Sequence, residues 1–373
     1  MGNNNSQWFK DNHEINDKVT ILTVRCDDLT LSENIGNFIN LLELDCSCNK
    51  FTKLPETLGN LINLQKLCCC FTELTELPET LGNLINLQII LCYNNNLIKL
   101  PETLGNLINL RHLTCYNNNL TELPETLGNL INLRELYCYD NKLTELPETL
   151  GNLINLRKLY CCDNKLIKLP KTLGNLINLE CLVCQCNQLI ELPEILGNLI
   201  NLQILICYDN ELIKLPKTLG NLINLECLAC QDNQLIELPK TLGNLINLRE
   251  INCENNQLTG LPISIVKLKH LEKILYDENI QLSINLQRFI KIIRNKNKIN
   301  NNVHNNYIQE SLIDSINILL LETITKDINI VKDNILDNKI KSIIYNFIDD
   351  KTVGNLLVNF EELLVYILEK IDN

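Results

Sequence analysis

The sequence predicts an α/β solenoid: a horseshoe of stacked units with a parallel β-sheet on its concave face, followed by an α-helical C-terminal region. Three observations carry that expectation. All ten prolines fall 23 residues apart, from Pro55 to Pro262. Ten glycines keep the same step from Gly36 to Gly243, and ten of the eighteen cysteines keep it from Cys46 to Cys253. One period shared by three unrelated residue types marks one structural unit copied many times.

Written from Leu110, the unit reads LRHLTCYNNNLTELPETLGNLIN. In LxxLxC the fourth and sixth residues lie two apart, so in a strand they share a face and point inwards, while the third, fifth and seventh point out. A single unit cannot bury its leucines alone, whereas stacked units form one continuous core. Strands about 4.8 Å apart give roughly 50 Å of sheet for eleven units. The Leu-Pro step ends each strand, and Leu-Gly-Asn-Leu turns the chain back along the convex side. Ten full units occupy residues 41–270, with degenerate units at 18–40 and from Leu271, so that the repeat domain spans 18–285.

The pattern L-x-x-L-x-C-x-x-N-x-L-x-x-L-P-x-x-L-G-N-L-x-N closely resembles the leucine-rich repeat. Its LPxxLGNLxxL half is similar to the subclass found in intracellular proteins related to Ras-group regulators. The resemblance implies a leucine-rich repeat solenoid, and it allows a role in regulating a small GTPase. It leaves the partner open, because this fold hosts many functions.

Composition narrows the function classes. The chain carries 33 Lys and Arg against 45 Asp and Glu, a net charge of -12, which argues against a nucleic-acid binder and leaves a protein as the expected partner. Only 5% of residues are aromatic, which disfavours an enzyme with an aromatic-walled pocket. No phosphate-binding glycine loop or Ser/His/Asp set competes, so the expectation is a non-enzymatic scaffold without cofactor. The first fourteen residues lack the apolar core of a signal peptide, and no stretch approaches the length of a membrane span. A cytoplasmic monomer with reduced cysteines is expected.

Asn recurs at the ninth place of the unit, at Asn49 and from Asn95 to Asn279, with Thr72 as the interior exception. A short amide there is expected to bond turn backbone in its own and neighbouring units, and Thr72 to mark a weakened turn. Cys181-x-x-Cys184 and Cys227-x-x-Cys230 have the spacing of half a zinc site. Strand phase argues against one, since Cys184 and Cys230 fall on the inward sixth position but Cys181 and Cys227 on the outward third. The ladder cysteines read as small apolar filler, unbridged because stacked Cβ atoms sit farther apart than a disulfide prefers. His13, His112, His270 and His304 show no pairing with a cysteine, and His112 reads as a surface residue. Some bacterial leucine-rich repeat proteins carry a helical ubiquitin-ligase domain with a cysteine nucleophile; this chain departs from them, having no cysteine after Cys253.

The convex half of the unit barely varies, while the outward strand positions vary freely, which suggests that the concave face recognises a partner. Tyr93, Tyr116, Tyr137, Tyr139 and Tyr160 converge there, with Asp140 and Asp163 at the rim and Tyr208 farther along. Tyrosine offers large contact area with a polar tip at low entropic cost, so these residues form the candidate site, for a partner with basic groups near the rim. The competing reading is that cross-strand stacking of the rings stabilises the sheet.

The ends differ from the repeats. MGNNNS at residues 1–6 of the polar segment 1–17 matches the N-myristoylation pattern, with Gly2 as acceptor and Ser6 in place, which makes a lipid-tethered membrane-surface regulator the alternative function. Membrane contact is expected only if Gly2 is acylated. Arg288, Lys291, Arg294, Lys296 and Lys298 supply either a second membrane signal or the solvated side of a helix closing the last unit. Residues 286–306 read as an Asn/Lys-rich linker, and apolar spacing from Ile308 to Ile371 predicts about three amphipathic helices within 307–373.

Overall fold

The computed structural model describes residues 18–25 and 29–300. Among them, twelve three-residue strands run from β1 (Ile21–Thr23) and β2 (Glu43–Asp45) to β12 (Lys273–Leu275), pairing in sequence order as one parallel sheet. Both degenerate end units therefore contribute a strand. The 23-residue step sets the register: Leu113 of β5 (His112–Thr114) lies beside Leu136 of β6 (Glu135–Tyr137), and Tyr137 lies beside Tyr160 of β7 (Lys158–Tyr160).

Alternation along each strand gives the two faces different jobs. Leu136 and Cys138 are fully buried in the one continuous core, which Tyr137 does not join. The chain then returns through a short 3-10 turn such as Glu125–Asn129, preceded by Pro124 in extended conformation at φ -64°. Each strand has already ended ten residues earlier, as β5 does at Thr114, so the Leu-Pro step opens the convex turn and does not end the strand as the sequence suggested. Proline suits this place because its ring presets φ, while its carbonyl accepts the Leu127 amide at 3.0 Å.

Contacts between units explain the uniform convex half. A Cβ on Gly128 would stand 2.6 Å from both Thr149 Cβ and Thr149 O, so only glycine lets the successive turns approach this closely. Thr149 Oγ1 donates to Glu125 O at 2.7 Å, and Asn155 Nδ2 donates to Ile131 O at 2.8 Å. Gly, Thr and Asn are each held in place by the unit next door.

The ninth-place asparagines behave as expected. Asn118 Nδ2 donates to Cys92 O, Cys115 O and Tyr116 O at 3.0–3.1 Å, and its Oδ1 accepts the Leu97 amide at 2.9 Å. One amide side chain thus satisfies four backbone groups across two units. Thr72 is shorter: its single hydroxyl proton is shared between Cys69 O and Asn95 Oδ1 and does not extend the pattern to the unit before. The ladder ends earlier than the sequence suggests, because Asn279 is exposed and Asp277 instead accepts the amides of Asn255 and Asn256.

The residue ahead of each ladder asparagine is left-handed, with φ of 49–56° from Cys48 to Asn255. Asn and Asp tolerate that conformation through local side-chain bonding, which accounts for Asn94, Asn117, Asp140, Asp163, Asp209 and Asp232 in this place. Phe71 and Cys186 occupy it at a steric cost.

One correction concerns the C-terminal side of the repeats. Helix α1 (Ile284–Asn300) runs through most of the segment read as a linker. Leu286, Ile290 and Ile293, spaced for one helix face, are buried against the last unit, while Arg288, Lys291 and Arg294 are exposed. The last strand and turn would otherwise leave their apolar side in water, and that burial outweighs the Asn/Lys-rich local composition. These three basic residues therefore form the solvated side of a closing helix. Gly2, Ser6 and the amphipathic segments beyond residue 300 lie outside the described residues. No helix among the described residues is long and apolar enough to cross a membrane.

Candidate protein-binding face

The outward strand positions form three parallel rows across the sheet. In the row of seventh positions, Tyr93 stacks on Tyr116 with ring centroids 4.5 Å apart, Tyr116 stacks on Tyr139 at 4.3 Å, and Phe71 closes the end edge-on to Tyr93 at 5.4 Å. In the fifth row Tyr137 stacks on Tyr160 at 4.8 Å, with the His112 ring tilted against Tyr137 at 5.3 Å. The strand spacing matches the stacking distance of aromatic rings, so identical phase converts neighbouring tyrosines into ladders.

This changes the expected site. Five of the predicted tyrosines do meet on the concave face, but Tyr93, Tyr137 and Tyr160 are only 2%, 4% and 7% exposed. The rings cover each other, and the stacking reading holds for these three. Tyr116 and Tyr139 keep partly open surfaces, as does Tyr208, which stands away from both ladders between Gln185 and Gln231 of the adjoining units. Burial pushes the Tyr116 and Tyr139 hydroxyls well above their ordinary pKa, so both remain neutral donors.

The third row was not among the sequence candidates. His112 Nδ1 lies 3.0 Å from Glu135 Oε2, Lys158 Nζ lies 3.3 Å from Glu135 Oε1, and the Tyr137 hydroxyl donates to Glu135 Oε2 at 3.1 Å. Burial alone would raise the Glu135 carboxyl. The His112 hydrogen bond and charge, with Lys158 and Tyr137, outweigh it and hold the pKa at about 2. The signal was legible as His112, Glu135 and Lys158 at a 23-residue step. A histidine read alone as surface hid it.

At the rim, Asp140 is exposed and Asp163 half-buried, and burial raises both carboxyls. The same left-handed position places exposed Asp209 and Asp232 along the same edge, two acidic residues the sequence reading passed over. Together they make a row of negative charge that starts beside Tyr139, at the end of the aromatic ladder, and continues over the later units with a break at Cys186.

The cysteines do more than fill space. Cys138 Sγ lies 3.4 Å from Tyr160 O, and Cys46, Cys69, Cys92 and Cys253 make the same bond to the next strand at 3.3–3.5 Å. Every cysteine among the described residues is unbridged. Burial raises the thiols of Cys92, Cys161 and Cys207 to about 12. Cys181 is separated from Cys184 as strand phase requires: Cys184 lies in the core, while the Cys181 thiol donates to the Tyr160 hydroxyl on the opposite face at 3.6 Å. Among the described residues, no three His, Cys, Asp or Glu side chains gather as metal ligands.

Known proteins place this architecture. The family pattern described as a leucine-rich repeat region matches residues 21–139 and 92–189, and the leucine rich repeat pattern matches 247–268. The functional domain of InlJ from Listeria monocytogenes, described as including a cysteine ladder, is 27% identical with a TM-score of 0.60, over 70% of this chain and 54% of that one. PEPR1-AtPEP1 is 32% identical with a TM-score of 0.58, over 70% and 42%. The plant peptide hormone receptor RGFR1, solved in complex with RGF2, is 26% identical with a TM-score of 0.50, over 73% and 56%. The chain thus spans about half the length of these solved chains. No curated protein sequence matches it. The 23-residue register, the single parallel sheet and these matches agree: the chain is a leucine-rich repeat protein.

Proposed function

We propose that this solenoid is a non-enzymatic scaffold whose concave face binds a basic segment of a partner protein. The carrying observation is that the partly open Tyr116 and Tyr139 ladder leads into an acidic row, which starts at Asp140 beside Tyr139 and continues through Asp163 to Asp209 and Asp232 on later units. An amphipathic ring surface supplies contact area, and a row of carboxylates steers and orients positive charge. The complex of RGFR1 with RGF2 supports the reading by analogy, as a related repeat domain that takes a ligand.

The test uses variants that keep the fold. Asn tolerates the left-handed backbone, so Asp140→Asn, Asp209→Asn and Asp232→Asn together remove charge without straining the turns. Partners captured by the wild-type chain and identified by cross-linking should be lost from the triple variant and from wild type at high salt. Capture indifferent to both changes overturns the reading.

A further inference from the structure

The convex side carries a feature that concave recognition does not use. One isoleucine per unit, from Ile39 to Ile246, stands 48–55% exposed at the same place after the 3-10 turn. Side-chain ties hold the row regular: from Asn63 onwards, the amide side chain beside each isoleucine donates to the isoleucine carbonyl of the unit before, as Asn132 does to Ile108 O at 2.9 Å. The flanking residues are uncharged in all ten units. Each isoleucine has an asparagine on either side, as Asn129 and Asn132 flank Ile131, and the residue between, such as Leu130, points into the core. The row stops where Lys269 takes the isoleucine position.

We propose that this isoleucine stripe is the contact surface for a second copy of the chain, joined in antiparallel fashion about a two-fold axis. Area is the first argument. A half-exposed isoleucine leaves on the order of 80 Å² in water, so ten leave on the order of 800 Å², the share each partner contributes to a standard interface and more than the largest apolar patch of most monomers. Periodicity is the second. A row of identical side chains repeating once per unit matches another row of the same pitch, and a two-fold axis across it brings the surface onto itself. Electrostatics is the third. Two chains of net charge -12 repel each other, and the four residues around each isoleucine carry no ionisable side chain in any of the ten units, so contact along the row itself buries no charge. Lys269 then bounds the register by putting a charge where one further step of sliding would bury it. The dimer departs from the monomer that the sequence suggested.

Sedimentation equilibrium of the full chain from about 1 to 100 μM tests the proposal, across the range where specific dimers form. Wild type is expected at twice the 42.9 kDa chain mass, and Ile108→Lys with Ile154→Lys at the single-chain mass, with dissociation raised at least tenfold per substitution. Both sites are exposed, so the circular dichroism melt should not change. If the lysine pair misfolds, Ile131→Asn with Ile154→Asn replaces it. A wild type monomeric throughout overturns the proposal, as does a dimer indifferent to both stripe variants. A monomer that pellets with neutral phosphatidylcholine vesicles through the stripe also overturns it, in favour of a lipid surface. The Asp140, Asp209 and Asp232 variant should dimerise normally, which separates this outcome from failure of concave binding.

Discussion

Tyr116 and Tyr139 lie ring over ring, with centroids 4.3 Å apart and planes 8° from parallel. The pair is at once part of the candidate site and part of what holds two strands together. Tyr139→Ala should therefore cost about 2 kcal/mol in urea unfolding, a partial version of the loss seen when a buried aromatic is truncated. Tyr139→Phe keeps the stack and should cost under about 1 kcal/mol, so a binding defect in Tyr139→Phe reports on recognition and not on folding.

Glu135 predicts an acid dependence. Its carboxyl titrates at about 2 in the folded chain against the ordinary 4.5, so the stability it contributes is complete above about pH 5 and is lost as pH falls from 4.5 towards 2. Wild type should exceed Glu135→Gln in melting temperature at pH 6, and the gap should close by pH 2–3. A gap that stays constant over that range would show that the His112, Glu135 and Lys158 row carries no net charge stabilisation.

The thiol ladder predicts the opposite limb. Unfolded cysteines ionise near 9, whereas Cys92, Cys161 and Cys207 resist until about 12, so their contribution is full below 9 and is lost as pH climbs to 12. The raised tyrosine hydroxyls act in the same sense. Urea midpoints should fall steeply above pH 9. In Cys161→Ala with Cys207→Ala that slope should flatten, whatever the baseline cost of the cavities.

Thr72 is a repairable defect. Thr72→Asn places an amide where neighbouring units use one to bond the unit before, and should stabilise the chain by about 1–2 kcal/mol. The reciprocal change, Asn141→Ala, leaves the Leu120 amide without its partner and removes one of the donors to Cys115 O, Cys138 O and Tyr139 O, and should cost about 2 kcal/mol. Equal stabilities for wild type and Thr72→Asn would remove the amide ladder as a source of stability.

Residue order alone determined the unit, its 23-residue step and which side chains face the core, because alternation in a strand and stacking of incomplete units follow from local geometry and from the need to bury leucine. It placed Cys138 inward and Tyr137 outward, and it anticipated the Asn118 bonds. Only the assembled sheet decided how much of each outward side chain stays open, since the cover over Tyr93, Tyr137 and Tyr160 comes from residues 23 positions away. The same holds for Glu135, whose partners His112 and Lys158 sit on adjacent strands, and for α1, where burial of Leu286, Ile290 and Ile293 on the last unit overrides a composition that reads locally as a linker. Exposure, ionisation and closure are properties of neighbours in space, and a period in sequence names those neighbours without stating how closely they pack.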